Sequence, residues 1–305
     1  MTTPGNLLSE ARDAAGGLLG AYARIGGAVA SDVVGAATRR PSLDPFEVRD
    51  PEYIERTLPA CRAMSRLYFR ADVRGLGHIP SEGPVLLVGN HSGGIMIADT
   101  FVFAQAFYDH FGVERRFYQL AHDLVFKTPG ARALVQRYGT VPASPQNMAR
   151  ALEREAALLV YPGGDDETFR PSWESGTIDL ANRTGFIKLA LEHDVPIVPV
   201  VAIGGQETGL FLGRGRRIAS ALSLDRLRLK VLPAVVGPPF GVTVLDLPAR
   251  VPLPAKISIR VLKPIDLRAR LGNDSGVEDC YRLVTSTMQR TLTRLSNERS
   301  LPVVG

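Results

Sequence analysis

Short apolar runs alternate with amphipathic segments along most of the chain. Buried strands are predicted at residues 71–79, 84–88, 117–121, 157–161, 195–201 and 257–262. Apolar residues at three- and four-residue steps predict helices between them, at 45–70, 99–108, 145–156, 184–193 and 275–295. Strands that alternate with helices indicate an α/β fold, with a mixed, mostly parallel sheet flanked by helices.

The first 44 residues differ in composition from the rest of the chain. They are rich in Ala, Gly and Leu, and their leucines and alanines recur at helical spacing. The pattern predicts an N-terminal helical segment over residues 1–44. Because its many glycines weaken each turn, this segment needs a surface to pack on: its own domain, a second protomer or lipid. Residues 45–305 are predicted to form one domain.

Composition and charge narrow the class of protein. The chain is 45% hydrophobic and 22% charged, which is typical of a globular domain, and its net charge is +5. A positive charge suits an anionic membrane face or an anionic ligand. Nucleic acid is not an expected partner, because the Lys and Arg residues are scattered and no nucleic-acid-binding motif is present.

The cysteines and the length of the apolar runs indicate where in the cell the protein is expected to work. Cys61 and Cys280 have no metal-ligand spacing and are expected to be reduced thiols of a cytoplasmic protein. The longest apolar runs fall far short of the ~18 residues that span a bilayer. Membrane association, if any, is therefore expected to be peripheral, on the inner face of the membrane.

The end of the strand predicted at 84–88 carries the first candidate chemistry. Asn90, His91 and Ser92 follow it, and Gly93 and Gly94 then allow a tight turn. His91 is the candidate general base. Asp99 is the only carboxylate between Glu82 and Asp109, so it is the candidate partner that orients the imidazole. An equally weighted alternative is a core histidine after a strand and an aspartate at a helix start.

The end of the strand at 157–161 carries the second candidate. Pro162, Gly163 and Gly164 hold side chains away from the backbone, and exposed N–H groups there suit an oxyanion or a phosphate. Arg170 follows after an acidic triplet and is a candidate substrate-binding cation. A plain turn between strand and loop is the equally weighted alternative.

Several kinds of enzyme are excluded by missing residues. The chain has no Walker A loop and no dinucleotide fingerprint, and its five histidines lack zinc-ligand spacing, so neither a cofactor nor a metal is expected. Ser92 lies near a nucleophile-elbow pattern, but His91 occupies the central position. A histidine base, a carboxylate and a glycine-rich loop remain. They indicate direct acyl transfer to a hydroxyl of the substrate.

The sequence resembles the glycerolipid and lysophospholipid acyltransferases, which share an Asn-His-spacer-Asp motif. The matching blocks stand in order along the chain: 89–91 with Asp99, 139–144, 160–164 and 195–200. The resemblance implies an acyltransferase domain over 45–305, with acyl-CoA or acyl-carrier protein as donor and a lipid alcohol as acceptor. It implies that His91 deprotonates the acceptor, and that the substrates are bound by Asn90, Ser92, Gly93, Gly94, Pro162, Gly163, Gly164 and Arg170.

The chain departs from that family at three points. The spacer between His91 and Asp99 has seven residues instead of four, so the 93–94 turn must absorb the difference. Block 139–144 lacks the arginine of the members with phosphate acceptors. The third block reads Pro-Gly-Gly instead of Pro-Glu-Gly, which resembles the diacylglycerol acyltransferase-like branch.

These departures leave other functions open. A catalytically silent acyl-CoA- or lipid-binding protein would keep the cleft without turnover. A thioesterase or esterase would use Ser92 or a water activated by His91. For the membrane surface, two candidate contacts are expected: the segment 1–44 and the arginine-rich stretch from Arg214 to Arg228.

Overall fold

A computed structural model describes residues 44–127, 129–221, 231–244, 246, 250–272 and 276–301. Apart from Asp44, the N-terminal helical segment predicted at 1–44 lies outside the described residues, and the domain boundary at residue 45 stays a prediction. In the part of the chain that is described, no helix is long and apolar enough to cross a membrane.

A mixed sheet of seven strands forms the centre of the described chain. The strands are β1 (Asp72–Arg74), β2 (Val85–Gly89), β3 (Phe117–Ala121), β4 (Thr140–Pro142), β5 (Ala157–Val160), β6 (Ile197–Ile203) and β10 (Ser258–Val261). Their order is β1-β10-β6-β2-β5-β3-β4; β10 pairs antiparallel with β6, and the remaining pairs are parallel. The predicted fold class is therefore confirmed.

Helices connect the strands and cover both faces of this sheet. Their first turns carry the expected caps: the side chain of Asp50 accepts from Tyr53 N at the start of α1, and Ser144 accepts from Asn147 N at the start of α5. The described helices are α1 (Pro51–Ala63), α2 (Ala98–Phe111), α3 (Asp123–Lys127), α4 (Pro129–Arg137), α5 (Pro145–Glu153), α6 (Gly164–Thr168), α7 (Gly185–Glu192), α8 (Arg216–Ala221), α9 (Leu267–Leu271) and α10 (Val277–Asn297).

The hydrophobic core lies in two layers, one on each face of the sheet. Side chains alternate between the faces along a strand, so neighbouring residues of β2 belong to different layers. Leu86 joins the layer under α10, which contributes Val284 and Leu292. Leu87 joins the layer under α2, which contributes Phe107. Because β2 and β5 are buried on both faces, they read as continuous apolar runs in the sequence.

Most predicted elements agree with the structure. The helix predicted at 45–70 is divided: a 3₁₀ helix (Pro45–Val48) precedes α1, and a π-helical turn (Met64–Tyr68) follows it. The strand predicted at 71–79 is only Asp72–Arg74, because Gly75 takes a φ of +87° and starts a 3₁₀ turn. A separate antiparallel sheet was not predicted; its order is β7-β8-β9. It consists of β7 (Leu210–Gly213), β8 (Ala234–Gly237) and β9 (Gly241–Val244).

The topology brings the two predicted site regions together. Strands β5, β2 and β6 are neighbours and run in the same direction, so their carboxyl ends lie at one edge of the sheet. The histidine loop follows β2, and the Pro-Gly-Gly block follows β5. Ligands of open α/β sheets bind outside this edge.

Candidate active site

Asn90 fixes the point at which the histidine loop leaves the sheet. Its side-chain amide donates to the carbonyl of Ala202 at 2.9 Å and accepts from the Ala202 N–H at 2.8 Å. The amide thus replaces one step of strand pairing between the end of β2 and β6. Asn90 is 1% exposed, so the structure gives it a supporting position, and direct contact with a substrate stays a prediction.

The imidazole of His91 is stacked on the ring of Tyr161. The ring centroids are 4.2 Å apart and the planes differ by 16°. Gly89 makes this stack possible, because a Cβ there would lie 2.5 Å from Tyr161 Cε1. The Tyr161 hydroxyl accepts a hydrogen bond from Thr100 Oγ1 at 2.9 Å. Strand β2, strand β5 and helix α2 together therefore define the orientation of the His91 imidazole.

Asp99 is close to the histidine loop and almost fully buried. The turn at Gly93 (φ +92°) and Gly94 (φ +67°), with a 3₁₀ turn after it, takes up the extra residues of the spacer. The Asp99 carboxylate accepts from the N–H and Oγ of Ser92, at 3.1 and 3.0 Å, and from the Thr100 N–H at 2.8 Å. Ser92 is therefore bound to the carboxylate, and the turn does return Asp99 to the loop.

The predicted contact between Asp99 and His91 is not made directly. The His91 Nδ1 is buried and has no hydrogen-bond partner. The two oxygens of Asp99 are occupied by Ser92 and Thr100 instead. The role of Asp99 as orienter of the imidazole stays a prediction.

A buried ion pair holds the backbone of His91 on both sides. Glu167 Oε2 accepts from the His91 N–H at 2.8 Å, and Arg170 Nη2 donates to the His91 carbonyl at 3.4 Å. The two side chains also contact each other, with Arg170 Nη1 3.3 Å from Glu167 Oε1. Arg170 is 1% exposed and Glu167 is fully buried. Arg170 thus reaches His91 from within the protein, and its predicted contact with a substrate stays untested.

A second buried ion pair holds the turn that follows. Asp246 Oδ2 accepts from the Ile95 N–H at 2.7 Å, and Arg250 Nη2 donates to the Gly93 carbonyl at 3.1 Å. Arg250 Nε lies 2.6 Å from Asp246 Oδ1. Gly94 is required here, because a Cβ at this residue would lie 2.2 Å from Asp246 Oδ2. We call Glu167–Arg170 and Asp246–Arg250 the two buried clamps.

Burial shifts the pKa of the titratable groups in the site. Desolvation, together with the positive charge of Arg170, lowers the pKa of His91 to about 3. Desolvation raises the pKa of Asp99 to about 6, although hydrogen bonds from Ser92 and Thr100 oppose this change. Desolvation also raises the pKa of Glu167 to about 7, against the opposing charge of Arg170. At neutral pH the imidazole is therefore uncharged, which is the form that can accept a proton.

The Pro-Gly-Gly block lies beside the first clamp. A Cβ at Gly163 would lie 2.4 Å from Glu167 Oε2, so this glycine lets the carboxylate approach. The Pro162 carbonyl accepts from Arg183, and the Gly164 N–H donates to the Tyr161 carbonyl at 3.1 Å. The N–H of Gly164 is therefore used within the turn. A role of this block in binding an oxyanion stays a prediction.

The arginine-rich stretch after β7 is partly neutralised within the protein. Arg214 Nη1 lies 2.7 Å from Glu174, and Arg216 Nη2 lies 2.8 Å from Asp166. Arg226 and Arg228 lie outside the described residues. Because both guanidinium groups are paired with carboxylates, this stretch presents less net positive charge to an anionic surface than the sequence indicates.

Within the described ranges, no group of three or more His, Cys, Asp or Glu side chains is placed to hold a metal ion.

The sequence alone did not indicate Tyr161, Glu167, Asp246 or Arg250 as site residues. Glu167 and Arg170 stand three positions apart, a spacing that brings side chains together on a helical turn and could have suggested the pair. Asp246 lies 151 residues after Ile95, and nothing in the local sequence connects Asp246 and Arg250 with the histidine loop.

Comparison with known proteins supports an acyltransferase. Residues 70–203 match the family model described as Acyltransferase. An uncharacterized protein of Mycobacterium tuberculosis is 28% identical over 259 residues, which cover 83% of this chain and 69% of that protein. The "DGAT1/2-independent enzyme synthesizing storage lipids" of Bos taurus is 30% identical over 135 residues, which cover 42% of this chain and 37% of the relative.

A solved structure shares the fold. The 1-acyl-sn-glycerophosphate acyltransferase PlsC from Thermotoga maritima superposes with a TM-score of 0.54 and 17% identity, over 91% of this chain and 90% of that one. His91, Asp99 and the Pro162 to Gly164 block all lie within the matched residues. The acyltransferase family model therefore matches the part of the chain that carries both predicted site regions.

Proposed function

We propose that the protein is an O-acyltransferase that moves a fatty acyl group from a thioester to a hydroxyl of a glycerolipid or another lipid alcohol. The observation that carries this proposal is the imidazole of His91, held at the carboxyl edge of the sheet by the Tyr161 stack and the two buried clamps. A base at that edge meets ligands that bind outside the sheet.

The proposed reaction uses His91 as general base. The imidazole takes the proton of the acceptor hydroxyl while the oxygen attacks the thioester carbonyl. The C–S bond then breaks, and the imidazolium returns the proton to the leaving thiolate. The products are the ester and the free thiol, and the enzyme returns to its starting protonation state.

Two neighbours can stabilise the imidazolium that forms during this step. The face of Tyr161 lies parallel to the imidazole, and an aromatic face attracts a cation. Asp99 brings a negative charge to the same loop when it is ionised, through its hydrogen bonds to Ser92. Both effects increase the basicity of His91 during the reaction.

The proposed donor and acceptor are based on the family resemblance and on the relatives. We propose acyl-CoA or acyl-carrier protein as donor, a lipid alcohol as acceptor, and no bound cofactor. The Pro162-Gly163-Gly164 block and the storage-lipid enzyme of Bos taurus favour a neutral acceptor. Because long-chain alcohols have a negligible monomer concentration in water, we propose that the protein works peripherally at the cytoplasmic face of the membrane.

A hydrolase that uses Ser92 as its nucleophile is less well supported by the geometry. The Ser92 hydroxyl is 2% exposed and donates to Asp99, so it does not face a substrate as a nucleophile would. A Cβ at Gly205 would lie 2.3 Å from Ser92 Oγ, which shows how closely the hydroxyl is enclosed. Direct transfer to an acceptor needs no such nucleophile.

Replacement of His91 by alanine tests the proposal directly. Loss of the general base is expected to lower the transfer of labelled acyl groups to lipid roughly 10²- to 10⁴-fold. The measurement incubates the protein with labelled acyl-CoA or acyl-carrier protein and a panel of lipid alcohols. His110→Ala serves as the matched control, because His110 is an exposed histidine in the last turn of α2, and it is expected to keep the activity.

The position of the label separates the alternatives. Label in lipid that depends on His91 supports the proposal. Label released as free fatty acid without an acceptor would indicate a thioesterase. Label that is bound but never transferred would indicate a silent acyl-binding protein, and either outcome contradicts acyl transfer.

The pH dependence of kcat/KM is expected to follow Asp99 rather than His91. With a pKa of about 3, His91 stays uncharged throughout pH 5 to 8. Asp99, with a pKa of about 6, loses its negative charge below that pH and can then no longer stabilise the imidazolium. Activity should therefore fall as the pH drops through about 6.

In Asp99→Asn that acid limb should disappear, and the rate at pH 8 should be roughly tenfold or more below the wild-type rate. Profiles of kcat/KM between pH 5 and 9 give the answer. An acid limb that persists unchanged in Asp99→Asn would assign it to another group.

The stacked ring of Tyr161 is expected to act on kcat. Tyr161→Phe keeps the aromatic face and should stay within about twofold of the wild type. Tyr161→Leu removes the face and should lower kcat by about tenfold with little change in KM. Steady-state kinetics of both variants, with thermal unfolding as a control for folding, make the comparison; equal kcat values for the two variants would argue against a role of the stack.

A further inference from the structure

The small β7-β8-β9 sheet has one face made of aliphatic side chains. Leu210 pairs with Val236 and Val236 with Val242, and Ala234 pairs with Val244, so these residues align across the sheet. Val242 and Val244 are 69% and 64% exposed. We call the set the aliphatic face; it consists of Leu210, Leu212, Ala234, Val236, Val242 and Val244.

The opposite side of this sheet faces the protein. Phe211 and Val235 are fully buried, as alternation along β7 and β8 requires. Phe211 lies against the turn at Gly93 and Gly94, since a Cβ at Gly94 would come within 2.8 Å of its ring. Asp246, two residues after the end of β9, accepts the Ile95 N–H. The aliphatic face is therefore separated from the histidine loop by one layer of side chains.

Aromatic side chains stand at the margin of the aliphatic face. Phe240, in the turn between β8 and β9, is 47% exposed. Trp173 is 70% exposed, and its neighbour Ser172 accepts a hydrogen bond from Phe211 N in β7 at 2.9 Å. Trp and other aromatic residues favour the boundary between lipid and water, because they combine an apolar ring with a polar edge.

We propose that the aliphatic face, with Trp173 and Phe240 at its margin, is the surface by which the protein docks on a lipid bilayer. The inference rests on the proposed function, which requires access to a lipid acceptor. The aliphatic face consists of apolar side chains, which suit contact with acyl chains. The same sheet packs against the turn at Gly93 and Gly94, so docking would bring the site close to the bilayer. Because Arg214 and Arg216 nearby are paired with Glu174 and Asp166, this docking depends on apolar contact more than on charge.

The single tryptophan of the chain allows a direct test. The full chain is mixed with vesicles of phosphatidylcholine that carries brominated acyl chains, which quench a tryptophan in contact with them. Trp173 emission is expected to shift to shorter wavelength and to be quenched. The effect should persist at 1 M salt, where surface charges are screened beyond about 3 Å.

Charges on the aliphatic face should weaken this binding. The double variant Val242→Glu, Val244→Glu should partition into the vesicles about tenfold less in a sedimentation assay, because it would bring two carboxylates to the lipid. Leu67→Glu is the matched control, because Leu67 is also 64% exposed but lies outside the small sheet; it should bind as the wild type does. Turnover of a water-soluble acceptor should be unchanged in the double variant.

Vesicle binding needs no turnover, so this inference and the role of His91 fail separately. Unquenched Trp173 emission, or equal binding of the double variant and the wild type, would overturn the docking surface. A change of oligomeric mass in the double variant without a change in vesicle binding would instead assign the face to a second copy of the chain.

Discussion

The geometry of the site depends on two ion pairs that are buried under the histidine loop. Glu167 and Arg170 hold the N–H and the carbonyl of His91, and Asp246 and Arg250 hold the turn after it. Breaking a buried pair by removing one partner typically costs about 3–5 kcal/mol, because the remaining charge is left uncompensated. The loop is therefore held in one conformation, because separating these charges costs much free energy.

This arrangement explains how a glycine-rich loop can hold the His91 ring in one orientation. The two clamps bind backbone atoms, so they fix the path of the loop, while the stack on Tyr161 fixes the ring plane of His91. The surroundings keep the imidazole uncharged, as a proton acceptor must be. The second clamp also connects the loop with the small sheet, since Asp246 follows β9. The histidine loop, the turn after it and the aliphatic face thus form one continuous part of the protein.

Local patterns predicted much of this structure. The buried runs predicted the central strands, the loop with His91 and Asp99 followed from the residues after β2, and the mostly parallel sheet followed from the alternation of strands and helices. The small sheet was not predicted, because β7 and β9 are four residues each and their exposed side chains are apolar, so the sequence does not distinguish the exposed face from the buried one. The bond between Asp246 and Ile95 joins distant segments, and only the fold brings them together.

We propose that the fold keeps the His91 imidazole uncharged, so that it can act as a base. The most direct measurement is an NMR titration of the imidazole ¹⁵N resonances from pH 4 to 8, with His91 identified among the five histidines by comparison with His91→Gln. We expect the His91 resonances to stay at the positions of a neutral ring down to pH 4, because burial lowers the pKa of His91 to about 3. A midpoint near the ordinary histidine value of about 6.5 would contradict it.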